Sequence, residues 1–284
     1  EPPAPLRVSV EHLPARAAIW SPDAELADMA LVEVGRGCDR ACAFCATSRE
    51  AAGRCRVVPA ERVLAAIPSE APRVGLVGAA VSDHPELPRI LEAVVESGRE
   101  VGVSSVRVDR LSAELVGLLA RGGLRTLTLG VDGASERLRK QIRKGVTAER
   151  LLEGARLAAA AGLRKLKLYL IVGLPGESDR DLAEFTILAE ELSHVLPVSV
   201  TIAPFVPKPG TPLADAPQPP VKDLARRLRC VRAALRKRMR VQPTSARWAW
   251  VEAQIARGDV TTGEALLEAR ARGGRFGDFK RVLG

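Results

Sequence analysis

Cys38, Cys42 and Cys45 stand within the run Val34-Gly35-Arg36-Gly37-Cys38-Asp39-Arg40-Ala41-Cys42-Ala43-Phe44-Cys45. The spacing Cys-x3-Cys-x2-Cys sets three thiolates on one loop. Thiolates hold iron-sulfur clusters, and an electron-transfer cluster ordinarily takes four, so three in one loop point to a cluster with one iron open for chemistry. Three other readings compete. Structural zinc usually draws ligand pairs from two places, and neither His12 nor His84 supplies a second pair. A disulfide framework fits poorly with an odd total of 5 Cys in a chain long enough for a conventional core. Chance clustering is the third. Cys55 and Cys230 are isolated and read as ordinary thiols, with an auxiliary-ligand or oxidisable role as the alternative for Cys55.

A chain of 284 residues, 46% hydrophobic and 27% charged, has the composition of one large globular domain with extensions. No apolar run approaches the roughly 20 residues that span a bilayer, and no secretory signal opens the chain. The expectation is therefore a protein without a membrane segment in a reducing cytoplasm, which also suits an oxygen-sensitive cluster. The net charge of +9 is carried mostly by Arg, and with aromatics at 3% the stacking platform of a single-strand reader is missing, so nucleic acid is a disfavoured partner. In the densest basic stretch, from Lys222 to Arg240, Val221, Leu224, Leu228, Val231 and Leu235 fall at helical spacing. The arginines then form a solvated face, with an acidic partner as the alternative. Glu1-Pro2-Pro3-Ala4-Pro5 reads as a linker, and residues 1–29 as an N-terminal linker or the remnant of a missing upstream domain.

To position the cysteine loop, short β-rich runs must alternate with helices, as in a parallel α/β fold. Strands are expected at Ala30 to Val34, Val74 to Val77, Glu100 to Val103, Thr126 to Leu129, Leu166 to Val172 and Val198 to Ala203. Helices are expected at Ala60 to Ile67, Leu87 to Ser97, Ala113 to Arg121, Ala148 to Ala161 and Asp179 to Ser193. In such folds reactive groups sit beyond the C-terminal ends of the strands, and the triad follows the first strand. Six units are fewer than a full barrel holds, so one side stays open.

Other segments fall at the same steps. Gly78-Ala79-Ala80-Val81-Ser82-Asp83-His84-Pro85 follows the second strand. Here His84 is either a proton donor near substrate or a residue that shapes a helix start. Gly130-Val131-Asp132-Gly133-Ala134-Ser135-Glu136-Arg137 follows the fourth, with Arg143-Lys144-Gly145 beyond it. The plainer reading is a helix N-terminus capped by Ser135 with Glu136 favoured by the dipole. Leu170-Ile171-Val172-Gly173-Leu174-Pro175-Gly176-Glu177 follows the fifth, and Ala203-Pro204-Phe205-Val206-Pro207-Lys208-Pro209-Gly210-Thr211-Pro212 the last. With Phe44 just before the last Cys, this set resembles the radical S-adenosylmethionine (radical SAM) superfamily, and within it the group associated with cobalamin-binding domains. Ser21-Pro22-Asp23-Ala24-Glu25-Leu26, Ile255-Ala256-Arg257-Gly258-Asp259 and Gly274-Arg275-Phe276 extend the likeness to nearly the whole chain.

The resemblance implies an α/β fold, a partial (βα)6 TIM-like radical SAM barrel over residues 30–204, with a proline-rich segment and helical C-terminal extension over 205–284. It implies that Cys38, Cys42 and Cys45 hold three irons of a 4Fe-4S cluster and that S-adenosyl-L-methionine (SAM) chelates the fourth. Carbonyls of Gly78, Ala79 and Ala80 would then receive the SAM ammonium, although the acidic residue usual in that loop is absent. Asp132 would face the ribose and Lys144 the carboxylate. Phe44, Ile171 and Leu174 would line the cofactor pocket, with exposed backbone at Gly173 bonding the adenine edge. One electron into the cluster cleaves SAM to a 5'-deoxyadenosyl radical that takes hydrogen from an unactivated carbon, and a barrel interior lined by Val, Leu and Ala is expected to survive it. The implied partners are an unknown substrate and an electron donor such as flavodoxin or ferredoxin. Methyl transfer would draw cobalamin from a domain outside this chain, since no Asp-x-His-x-x-Gly motif occurs here. The alternatives are a methylthiotransferase of RNA or ribosomal protein, and an iron-sulfur binding or electron-transfer protein without SAM turnover.

Overall fold

The computed structural model describes residues 9–47 and 55–284; the linker expected at Glu1 to Pro5 lies outside them. The strands are β1 (Met29–Glu33), β2 (Gly35–Arg36), β3 (Arg56–Val57), β4 (Arg73–Val77), β5 (Glu100–Val103), β6 (Thr126–Asp132), β7 (Lys165–Val172), β8 (Val198–Pro204) and β9 (Arg240–Pro243). The helices are α1 (Ala60–Ala65), α2 (Leu87–Glu96), α3 (Ala113–Arg121), α4 (Glu136–Gln141), α5 (Ala148–Ala160), α6 (Asp179–Ser193), α7 (Val221–Leu235), α8 (Ala246–Arg257), α9 (Val260–Ala271) and α10 (Phe276–Leu283). The pairings β1-β4-β5 and β6-β7-β8-β9 are all parallel. A parallel bridge between Val106 and Leu129 joins the two halves into one open wall.

Caps and periodicity make these elements. Ser112, Ser135, Thr147, Ser178 and Ser245 each accept a backbone N–H of the helix they precede, which satisfies a donor the helix cannot. On β6 and β7 buried residues alternate with half-buried ones, the period of a strand with one packed face. The packed face is Leu127, Leu129, Val131, Leu166, Leu168, Leu170 and Val172, in one core with Leu151, Leu182 and Phe185 from the covering helices. A second core gathers Val32, Val74 and Leu76 with Ile90, Leu91 and Leu119.

Two elements lie where none was expected. β9 continues the sheet within the region read as a proline-rich segment and helical extension, pairing Ser199 with Arg240 and Thr201 with Gln242. At the opposite edge Arg16 bridges Val32 antiparallel, Ala17 N–H donates to Leu31 C=O, and Leu13 is buried, so part of segment 1–29 covers β1. The face of β6 to β9 turned away from the helices also departs from the Val, Leu and Ala expected of it. It carries Thr126, Thr128, Lys165, Lys167, Tyr169, Ser199, Thr201, Arg240 and Gln242. Alternation explains this: apolar residues occupy the helix-facing positions, which leaves the intervening polar ones for the inner face.

On α7, Leu224, Leu228, Val231 and Leu235 are buried as their spacing requires. The other face is only partly free, because Arg226 pairs with Asp179 and Arg227 reaches the buried Glu177.

Candidate active site at the cysteine loop

β1 ends at Glu33, and the cysteine loop begins at once, anchored by the short antiparallel pair β2 and β3. The loop start lies so close to the segment after β4 that a Cβ at Gly78 would stand 2.9 Å from Gly35 O. Glycine is required there by the approach of two backbones. Cys42 is buried while Cys38 and Cys45 are partly exposed. Ala43 N–H donates to Ile142 C=O, and Cys42 Sγ lies 3.8 Å from Arg143 O, so the loop is stitched to the segment after α4.

Burial and nearby charge act in opposite directions on the innermost thiol. Burial pushes the Cys42 thiol up, while the nearby Lys144 and Arg107 cations oppose that shift. Arg40 N–H lies 3.4 Å from Cys38 Sγ. Among the described residues no three His, Cys, Asp or Glu side chains converge on a single ion. A cluster makes a different demand, one thiolate on each of three irons, and the donor set fits it in kind: three thiols carried on one loop, with Cys42 buried and Cys38 and Cys45 partly open.

Asp132 and Lys144 form an ion pair of 2.6 Å with side chains only 14% and 12% exposed. Asp132 holds φ +62°, a left-handed conformation that re-aims its carboxylate at the end of β6. Phe44, Ile171 and Leu174 meet in one apolar cluster with Ala43, Ile142 and Phe205. Gly78, Ala79 and Ala80 lie on the loop after β4, and Ala80 C=O already accepts Asp83 N–H. Gly173 departs from expectation. It is buried, and its N–H donates to Glu177 Oε1 at 2.8 Å, so that donor is not free for a base edge. Glu177 is itself held by Arg227 at 2.8 Å. His84 is structural: Nδ1 accepts Glu86 N–H, leaving Nε2–H for Val58 C=O at 2.8 Å.

A charged girdle went unread in the sequence. Arg40, inside the cysteine loop, grips Asp83 through two bonds of 3.0 and 2.8 Å and reaches Asp109 at 3.3 Å. Asp83 also takes Arg110, while Arg107 bonds Asp109 and donates to Lys144 C=O. These contacts tie the cysteine loop to the loops after β4 and β5 and to the segment after α4. The run Arg107-Val108-Asp109-Arg110 was the available signal, but it carries no information on its distant partners. Cys55 lines a small cavity with Gly35, Gly78 and Asp83, and its N–H donates to Asp39. Cys230 is exposed on α7.

Residues 32–189 match the model of the Radical SAM superfamily. The chain belongs to the radical SAM superfamily. Binding of a 4Fe-4S cluster and of SAM is characteristic of that family. A protein of Methanocaldococcus jannaschii designated MJ0966 is 31% identical over 186 residues, covering 64% of this chain and 41% of its own. The ribosomal protein uS12 methylthiotransferase RimO of Anaeromyxobacter is 28% identical over 216 residues, covering 70% and 45%. The chain thus spans less than half the length of these curated relatives. Among solved radical SAM structures, the methyltransferase TsrM of Kitasatospora setae with cobalamin and [4Fe-4S] cluster bound superposes with TM-score 0.55 at 15% identity. That match covers 65% of this chain and 38% of TsrM. The likeness establishes the partial TIM-like barrel. Among the described residues no helix is long and apolar enough to cross a membrane.

Proposed function

We propose that this chain is the catalytic core of a radical SAM enzyme that modifies an unactivated carbon, with methyl transfer as the favoured outcome. The observation that carries the reading is the three-cysteine loop directly after β1, whose Ala43 and Phe44 meet Ile171 and Leu174 in one apolar cluster and whose Ala43 N–H is held by Ile142. Cys38, Cys42 and Cys45 would hold the cluster. The bound cluster and SAM supply a carbon-centred radical when an electron arrives. The chain's own residues orient and shield. Lys144 would take the SAM carboxylate by exchanging it for Asp132, and Asp132, once released, would accept the ribose hydroxyls. Carbonyls of Gly78, Ala79 and Ala80 take the ammonium, and Phe44, Ile171 and Leu174 exclude water from the adenine. Gly173 shapes this pocket through its turn, with Glu177 as its anchor.

The reductant is a small electron carrier of the flavodoxin or ferredoxin kind, and a reducing cytoplasm is the compartment that suits both cluster and thiols. The TsrM likeness supports cobalamin as the methyl carrier, held outside this chain. A methylthiotransferase reading is supported by the RimO relationship and differs in the group transferred. Electron paramagnetic resonance of the reduced, anaerobically reconstituted protein tests the reading: SAM should alter the cluster signal. A cluster signal indifferent to SAM would leave an electron carrier.

A further inference from the structure

The two halves of the barrel interior are built differently. Under β1, β4 and β5 the space is filled by apolar side chains: a Cβ at Gly75 or Gly102 would fall 2.7 Å from Met29 Sδ or Cε. Under β6 to β9 the inner face is a polar lattice, whose rows are fixed by register. One row is Thr128, Lys167, Ser199 and Arg240; the next toward the cysteine loop is Gly130, Tyr169, Thr201 and Gln242. Thr126 and Lys165 lie one step below. Beyond the second row Ile171 joins the apolar cluster with Phe44.

The charge on this floor is uncompensated. Around the cysteine loop Arg40, Arg107 and Lys144 all pair with carboxylates. Among the described residues no carboxylate pairs with Lys165, Lys167 or Arg240, and Lys167 Nζ instead lies 5.0 Å from the centroid of the Tyr169 ring. Lys165 and Lys167 are half-buried, whereas Arg240 is exposed at the open edge of the sheet; half-buried cations are normally paired, because desolvation is otherwise unrewarded. Hydroxyls at Thr128 and Thr201 and the Tyr169 ring are the polar and planar surfaces that orient a small ligand in a pocket.

We propose that this floor is the substrate subsite, and that it reads an anionic group, a carboxylate or phosphate, on a small molecule. The anion sits on Lys167, with Lys165 and Arg240 flanking it, and the body of the substrate lies over Tyr169 toward Ile171. Lys167 and Ile171 are separated by about 13 Å along the strand, at about 3.3 Å per residue. A substrate thus presents its reacting carbon to the cysteine loop while its acid stays at the floor. This assignment rests on the radical SAM reading for what happens to that carbon, but the anion site stands on the lattice alone.

Tyr169 is the only tyrosine in the chain, so 3-fluorotyrosine places a single fluorine label on the floor. Fluorine NMR of the reconstituted, unreduced protein would be followed during titration with inorganic phosphate and with glutarate at constant ionic strength. A saturable shift with either probe is expected, and which probe binds tighter separates a phosphate from a carboxylate site. Lys167→Gln should weaken that probe about tenfold, the loss of one charge-assisted contact, while Lys167→Arg keeps most of the affinity. Arg270→Gln, an equal charge change on exposed α9, should leave it unchanged. Absence of a saturable shift with both probes, or equal affinity in Lys167→Gln, overturns the proposal. Production of 5'-deoxyadenosine by the same unsubstituted protein is scored separately, so failure of the radical reading and failure of the anion site give different results.

Discussion

Lys144 Nζ stands 2.6 Å from Asp132 Oδ2 at the rim of the barrel, both side chains largely buried beside Cys42. The pair joins the end of β6 to the segment after α4, from which Arg143 and Ile142 hold the cysteine loop. Lys144→Met should weaken SAM binding about tenfold to a hundredfold, the range of a charge-assisted contact of about 1.5–3 kcal/mol. Calorimetric titration of SAM into the reconstituted protein checks this, and unchanged affinity would remove Lys144 from the SAM site.

Asp83 holds two arginines at once, Arg40 of the cysteine loop and Arg110 after β5. Burial would raise its carboxyl, but hydrogen bonds from those two guanidinium groups prevail and hold it below the usual carboxylate range. Asp83→Asn should loosen the loop more than the fold. Iron content after reconstitution and desalting should fall clearly, while the melting temperature moves by only a few degrees.

Gly173 adopts φ +94°, and an added Cβ would overlap Leu224 Cδ2 from α7. Gly173→Ala should cost about 2–4 kcal/mol, combining left-handed strain with overpacking against a buried side chain. Urea unfolding measures it. A loss below about 0.5 kcal/mol would mean that the turn relaxes freely.

Asp181 accepts Ser135 Oγ–H at 2.5 Å and Arg137 at 2.7 Å, and caps its own helix through Ser178. Burial opposes its charge, yet these donors together hold its carboxyl far below the ordinary value. Because the folded value is depressed, its contribution is complete above the unfolded carboxyl value of about 3.9 and is lost as pH falls through the folded one. Asp181→Asn should therefore be less stable than the parent by about 2 kcal/mol at pH 7, and the gap should narrow at pH 3. Urea melts at both pH values decide it; a constant gap would assign the loss to packing.

Much of this was legible from residue order. The six expected strands and five helices lie within a few residues of their expected places, because buried and half-buried positions alternate on β6 and β7 and a Ser or Thr cap precedes three of those five helices. The cysteine loop was readable from spacing alone. β9 was missed because Arg-Val-Gln-Pro is short and polar and comes only a tight turn after α7, so only pairing with β8 reveals it. The polar floor is carried by the alternation Lys165-Leu166-Lys167-Leu168-Tyr169-Leu170, whereas overall composition averages the two faces of the sheet and hides it. The Gly173 N–H and the Arg40–Asp83 grip depend on partners that only the folded chain brings near.

Release of 5'-deoxyadenosine tests the central claim most directly. Anaerobically reconstituted protein, reduced in the presence of SAM, should form it, and Cys42→Ala should not. A fully loaded 4Fe-4S cluster that reduces normally yet yields no 5'-deoxyadenosine would contradict the assignment of this site to radical chemistry.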